Sequence, residues 1–440
     1  MRSQRRRLQL CFARACGVTG AAALAAAGVL CGGGITSGAA MVPNTLTTFT
    51  WSGGASAAGT SINWSAAGNW KAGVAPANSS TVNLSFPAFT KCTTITTCGT
   101  VSNNDLTGVK VGKWTIGVNN GATEPGPGEY QIMGGQVGVG ALLVKSVPPV
   151  AGKIGNIVQV NVPIHLDHND TWTMETNSNG QPGFLQPITG TGSLTVHMDS
   201  PSSFADFDST TNVGPVSFVG TTAGNPFANG TVALFGTINS NGHPVALTDV
   251  GFFVPATATV GPLTTSGDTI QIGDGGGVGP FGIFAVDGAL TLDGASAVTF
   301  IGLTPGTGTR PVPGSTYTEA TATGAAALNG AGLTNIYADC GQKIGTVYTL
   351  ISAKGGLTGT FAGDPNGTVI QAQKDSNTSC SSSTAVAPSL KLTYNDTAGT
   401  MKATVVAAPV SPSGGVAPAS TGPTWEAQSA GGSPSATTLP

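Results

Sequence analysis

Charge is what this 440-residue chain has least of. Only 8% of its residues are Asp, Glu, Lys or Arg, against about 25% in an ordinary soluble domain. Aromatic residues stand at 6%, and no stretch beyond the N-terminal 40 residues sustains the 3.6-residue apolar period of a helix. These deficits exclude a helical enzyme, a coiled coil and a charge-rich disordered chain. The positive charge is also in the wrong place for polyanions. Five of the six arginines (Arg2, Arg5, Arg6, Arg7 and Arg14) fall in the first 14 residues, leaving 12 basic against 20 acidic residues beyond residue 40. No basic stripe is left to neutralise phosphates or anionic lipid, so nucleic acid and membrane surfaces are set aside as partners.

Glycine (66 residues) and an apolar fraction of 40% are what the chain has instead. Short runs alternate apolar residues with Thr, Ser or Asn: STVNLSF (80–86), NIVQVNVPIHL (156–166), GSLTVHM (192–198), GTVALFGTI (230–238), GALTLDGASAVTF (288–300), TVYTLISA (346–353) and MKATVVA (401–407). Period two is the strand period, and Gly, Asn-Gly or Pro-Gly turns separate the runs. The reading is all-β. Two architectures satisfy it, a parallel β-solenoid and a set of antiparallel sandwiches. Low charge favours the solenoid, because equivalent side chains stack between coils and like charges there would repel.

Residues 1–40 read as a signal peptide. A basic segment precedes the uncharged run Gly17–Leu30, and small residues at Ser37–Ala40 supply a cleavage site after Ala39 or Ala40. Fourteen apolar residues fall short of the roughly 20 that span a bilayer, which disfavours an uncleaved anchor. Arg5-Arg6-Arg7 lacks the flanks of a twin-arginine signal, and Leu30 before Cys31 does not suit lipidation. Removal of this segment leaves a solenoid domain at 41–408 and a Pro/Gly/Ser/Thr-rich tail at 409–440, read as flexible. It also leaves four cysteines, Cys92, Cys98, Cys340 and Cys380. An even set in an exported chain reads as two disulfides. Three pairings are open, and sequence proximity favours Cys92–Cys98 and Cys340–Cys380.

Three segments carry a family resemblance: TFTWSGG (48–54) leading to NWSAAGNWKAGVAPANSSTVNLSF (63–86), then PIHLDHNDTWTM (163–174) with ITGTGSLTV (188–196), and finally GTVYTLISAKGGLTGTFAGDPNGTVI (345–370) with LKLTYNDTAGTMKATVV (390–406). The chain resembles the passengers of bacterial autotransporters, proteins built from autotransporter-associated β-strand repeats. That resemblance implies a right-handed parallel β-helix displayed outside the cell, with no catalytic residues and no cofactor. It implies that Trp51, Trp64, Trp70, Phe361 and Tyr394 cap or fill the coil. The chain departs from the family where an autotransporter has its membrane barrel, since 409–440 has no amphipathic strands.

Chemistry-bearing residues are sparse. His165, Asp167, His168 and Asp170 form the densest cluster, but on a strand 165 and 167 share one face and 168 and 170 the other, so they read as a solvated turn. His197 and His243 stand alone. Asp199, Asp206 and Asp208 are candidate calcium ligands, and Asp206 with Asp208 could serve as acids of a carbohydrate-active β-helix enzyme; a loop bearing Ser and Pro beside them reads first as solvated. IGDGGGVG (272–279) lacks the Lys-Ser/Thr of a phosphate loop, and Arg310 lies in a Pro-rich loop. No Gly-x-Ser-x-Gly elbow occurs. The expectation is a secreted or surface-displayed, non-catalytic solenoid with a structural or adhesive role, its partners cell-envelope polysaccharide or surface glycans. The alternatives are the enzyme and a β-sandwich glycan-binding module.

Overall fold

The computed structural model describes residues 46–408 except 88–99, 119–129, 147–156, 176–180, 201–202, 222–229, 240–241, 274–280, 305–310 and 375–385. The signal segment, the tail, Cys92, Cys98, Cys380, Arg310 and most of the 272–279 glycine run therefore lie outside the described residues. The rest is a parallel β-helix. Each coil has three short strands separated by tight corners, as in Phe204–Phe207, Thr210–Asn212 and Val216–Gly220, followed one coil later by Thr231–Leu234, Thr237–Ile238 and Val245–Thr248. First strands stack into an 11-stranded sheet, all parallel, from Val101–Asn104 to Gln373–Lys374. The second and third strands form two ladders within one 24-stranded sheet. The antiparallel sandwich is thereby ruled out, since antiparallel pairing occurs in the sheets only after residue 346.

Alternation decides which way each side chain points. In Leu194–Met198, Leu194, Val196 and Met198 are buried while Thr195 and His197 face out. Because neighbouring coils pair in register, the inward residues form columns: Leu194 lies beside Val216, then Val245, Leu263, Leu290, Ala326 and Leu357, all buried. Aromatic rings fill the centre, from Trp172 through Phe184, Phe207, Phe218 and Phe252 to Phe284, with successive centroids 5.0–6.2 Å apart. These spacings suit tilted and edge-to-face ring contacts. One apolar core runs from Trp51 to Val405.

Both ends of such a stack expose unpaired strand edges, and both are closed. At the start, Thr48–Thr50 pairs with Thr81–Phe86, and Trp51, Trp64, Trp70, Phe86 and Trp114 pack together. Asn69, fully buried, accepts from the Ser56 amide (2.8 Å) and donates to the carbonyls of Ser61 and Asn63 (both 3.0 Å). The Trp70 indole donates to the Trp64 carbonyl at 2.6 Å. At the far end the chain reverses. Thr400–Val406 pairs antiparallel with Val347–Ala353 and with Ser389–Asn395. No helix of the described residues is long and apolar enough to cross a membrane.

Corners are where glycine is indispensable. A Cβ on Gly192 would lie 1.8 Å from the His168 carbonyl oxygen, and one on Gly190 (φ +142) 2.1 Å from that of Leu166. Backbone cannot give way there as a flexible side chain would. Gly192→Ala is expected to lower stability by about 2 kcal/mol or more, read as a fall in the thermal midpoint. Gly242→Ala, at a corner with nothing within 4 Å, is expected to lose less, through its positive φ alone.

Candidate functional site

Outward-facing columns run the length of the helix. On the third face Thr171, Thr195, Ser217, Ala246, Thr264, Thr291, Ala327 and Thr358 follow one another in register and all face solvent. On the second face Thr237, Thr259, Ala285, Thr321 and Ser352 do the same. Adjacent strands lie about 4.8 Å apart, so these rows present short, uncharged side chains at a fixed interval on a flat surface. Sequence alternation identified the outward residues; their alignment depends on a register set by corner lengths that no periodic repeat announces.

The His165–Asp170 cluster occupies the corner between second and third strands. It splits into two pairs, as the strand geometry requires. His165 Nε2 lies 3.3 Å from Asp167 Oδ1, and His168 Nε2 lies 3.7 Å from Asp170 Oδ1. Lys110, two coils earlier and in line with His165 through Gly138, donates to Asp167 Oδ2 at 2.8 Å and holds its carboxyl below the ordinary range. Asp170 is the surprise. Instead of joining a solvated turn it points inward at the head of the Leu194 column, with its side chain fully enclosed and neither carboxyl oxygen hydrogen-bonded. Burial, reinforced by the Asp167 charge, pushes its pKa up to about 8.

Asp206 stands on the strand Phe204–Phe207 and is buried, not part of a solvated loop, with Asp208 half-buried just after it; a Cβ on Gly183 would sit 3.9 Å from both Asp206 Cβ and Asp208 Oδ2. Asp206 has Gly183 and Ala233 as its neighbours in the adjacent coils. Its register partners on either side are thus uncharged. Asp199 is exposed in the preceding corner. Among the described residues no three His, Cys, Asp or Glu side chains are placed to hold a metal ion.

A second buried acid escaped the sequence reading. Asp268 has no exposed surface, and its two oxygens accept the amides of Val250 (2.8 Å) and Ser266 (2.7 Å), tying one coil's corner to the previous one. Burial outweighs those hydrogen bonds and, with the Asp249 and Asp293 charges, lifts its pKa to about 7. Burial lifts Glu319 to about 7 as well. Asp268 stands just before the strand Thr269–Ile272, where alternation gives no direction.

Comparison with protein-family models, with curated proteins and with solved structures gave no match to this chain.

These acids set the pH dependence of stability. Folding raises their pKa values above the ordinary carboxylate value near 4, so between about pH 4 and pH 8 the native state binds protons that the unfolded chain releases. Stability then falls as pH rises through that window, and the full penalty is present above the folded values. The thermal midpoint is expected to be higher at about pH 5 than at about pH 9. Asp170→Asn should flatten that difference by stabilising the chain selectively at alkaline pH.

Proposed function

We propose that this chain is exported and serves outside the cell as a non-catalytic structural or adhesive rod, its hydroxyl-lined faces binding cell-envelope polysaccharide or surface glycans. The observation that carries this reading is the in-register outward column from Thr171 to Thr358. A regular row of short side chains, six of the eight bearing a hydroxyl, offers many weak, repeated contacts and loses little side-chain entropy on binding. A ligand that is itself a repeating polymer is the natural match. The low charge of the chain removes the long-range steering that would draw in polyanions. The N-terminal layout supports export, and the likeness to autotransporter passengers supports display; the surface and compartment are parts of this proposal.

Export also implies oxidation of Cys92–Cys98 and Cys340–Cys380. Supporting the second pair, Ala338 and Lys374 are register partners, so the segments leading to Cys340 and Cys380 leave the sheet from adjacent positions. The rival reading, a polysaccharide lyase or hydrolase, wants acids converging across coils, whereas the register partners of Asp206 are Gly183 and Ala233.

Co-sedimentation of the purified chain with the producer's cell walls and with insoluble polysaccharides tests the proposal. Retention without sugar release is the expected result, weakened when Thr195 and Thr264 are replaced together by Glu. Release of soluble sugar, abolished by Asp206→Asn, would replace the rod with an enzyme.

A further inference from the structure

The C-terminal closure contains the chain's one Asp-Pro dipeptide, Asp364-Pro365, in the sequence Phe361-Ala-Gly-Asp-Pro-Asn-Gly-Thr368. It lies between two tight turns. The Asp364 amide donates to the Phe361 carbonyl at 3.1 Å, with Gly363 at φ +78, and the Thr368 amide donates to the Pro365 carbonyl at 3.1 Å, with Gly367 at φ +92. Each glycine takes the left-handed position such turns reserve for it. The neighbouring strand then pins the second turn: Gly367 donates to the Leu392 carbonyl at 2.8 Å, and the Tyr394 amide donates to Asn366 Oδ1 at 3.1 Å. The bond between Asp364 and Pro365 is thus clamped on both sides, while Pro365 itself is open to water.

From this geometry we propose that Asp364-Pro365 is a self-cleaving peptide bond, cut by the side chain of Asp364 in mildly acidic surroundings. The carboxyl oxygen attacks the carbonyl carbon of the same residue, forming a five-membered cyclic anhydride. The carbon–nitrogen bond to Pro365 breaks, and the carboxyl proton passes to the proline nitrogen, which leaves as a secondary amine. Water opens the anhydride to the side-chain and main-chain carboxyl groups, so the net change is hydrolysis of one peptide bond. Reaction requires the proton on the carboxyl, and half-burial of Asp364 raises its pKa and so extends that condition upward in pH. The buried Tyr394 hydroxyl lies within electrostatic reach of Asp364; burial holds its pKa up at about 12, so it stays protonated near the reacting group.

Cleavage here would not release the C-terminal piece. Val369–Gln371, Ser389–Asn395 and Thr400–Val406 all follow the cut, and the last stays paired with Val347–Ala353. The product is a nicked rod with its closing sheet still docked.

The test is incubation of the full chain at about pH 5 and about pH 8, followed by intact mass measurement and N-terminal sequencing under denaturing, reducing conditions. The expected result is a fragment beginning at Pro365, forming about tenfold or more faster at the acidic pH in the folded chain than in urea, because the two turns fix the main chain on both sides of the bond. Asp364→Ala should abolish it. Asp364→Glu, whose ring would be larger, should slow it while keeping the same thermal midpoint as the parent. Size exclusion should show the two pieces travelling together. An intact chain after prolonged acid incubation would overturn the proposal, as would equal rates in buffer and urea or cleavage that survives Asp364→Ala.

Discussion

Each residue of one coil stands beside its counterpart in the next, about 4.8 Å away, and the structure depends on that register. It turns the inward half of every alternating run into a continuous apolar column and the outward half into a row on the surface. A slip of one residue in any strand would exchange the two. Corner glycines protect against this. Gly190 and Gly192 bring the backbone of one coil against that of the one before so closely that no side chain fits, which fixes where the next strand begins. The central rings from Trp172 to Phe284 then fill the lumen, and the two ends are sealed by a tryptophan cluster and a reversed sheet.

Class and layer were legible because composition and period two are local signals. Thr81–Phe86, Val347–Ala353 and Thr400–Val406 fall almost where alternation places them. Runs that span a corner were harder. The segment 156–166 reads as one strand but is two, Ile157–Asn161 and Ile164–Leu166, because Val162-Pro163 turns the corner without a glycine to mark it. The segments 230–238 and 288–300 also divide, at corners that hold Gly236 and Gly294. Coil length varies, so the sequence carries no numerical repeat from which to read register.

His165, Asp167 and His168 behaved as their spacing indicated, whereas Asp206, read as part of a solvated loop, is buried on a strand. Asp170 departs as well. Its position at the inward phase of Asp170–Glu175 is visible in the alternation Asp, Trp, Met once the strand's limits are known, yet a carboxylate at such a position conflicts with the cost of burying charge. The protein tolerates it by holding the proton, as its raised pKa indicates. The outward rows and the buried acids are both consequences of one arrangement, since each depends on which residues neighbouring coils bring together.

Register is therefore the claim to test. Cysteines placed at Thr195 and Ser217, partners in adjacent strands, should form a disulfide spontaneously, because partners at strand spacing fall within the roughly 4.4–6.8 Å between Cα atoms that the bond accepts. Cysteines at Thr195 and Val219, two residues out of register, should remain reduced under the same conditions. Efficient bonding of the second pair in place of the first would contradict the coil register on which the core and the surface rows rest.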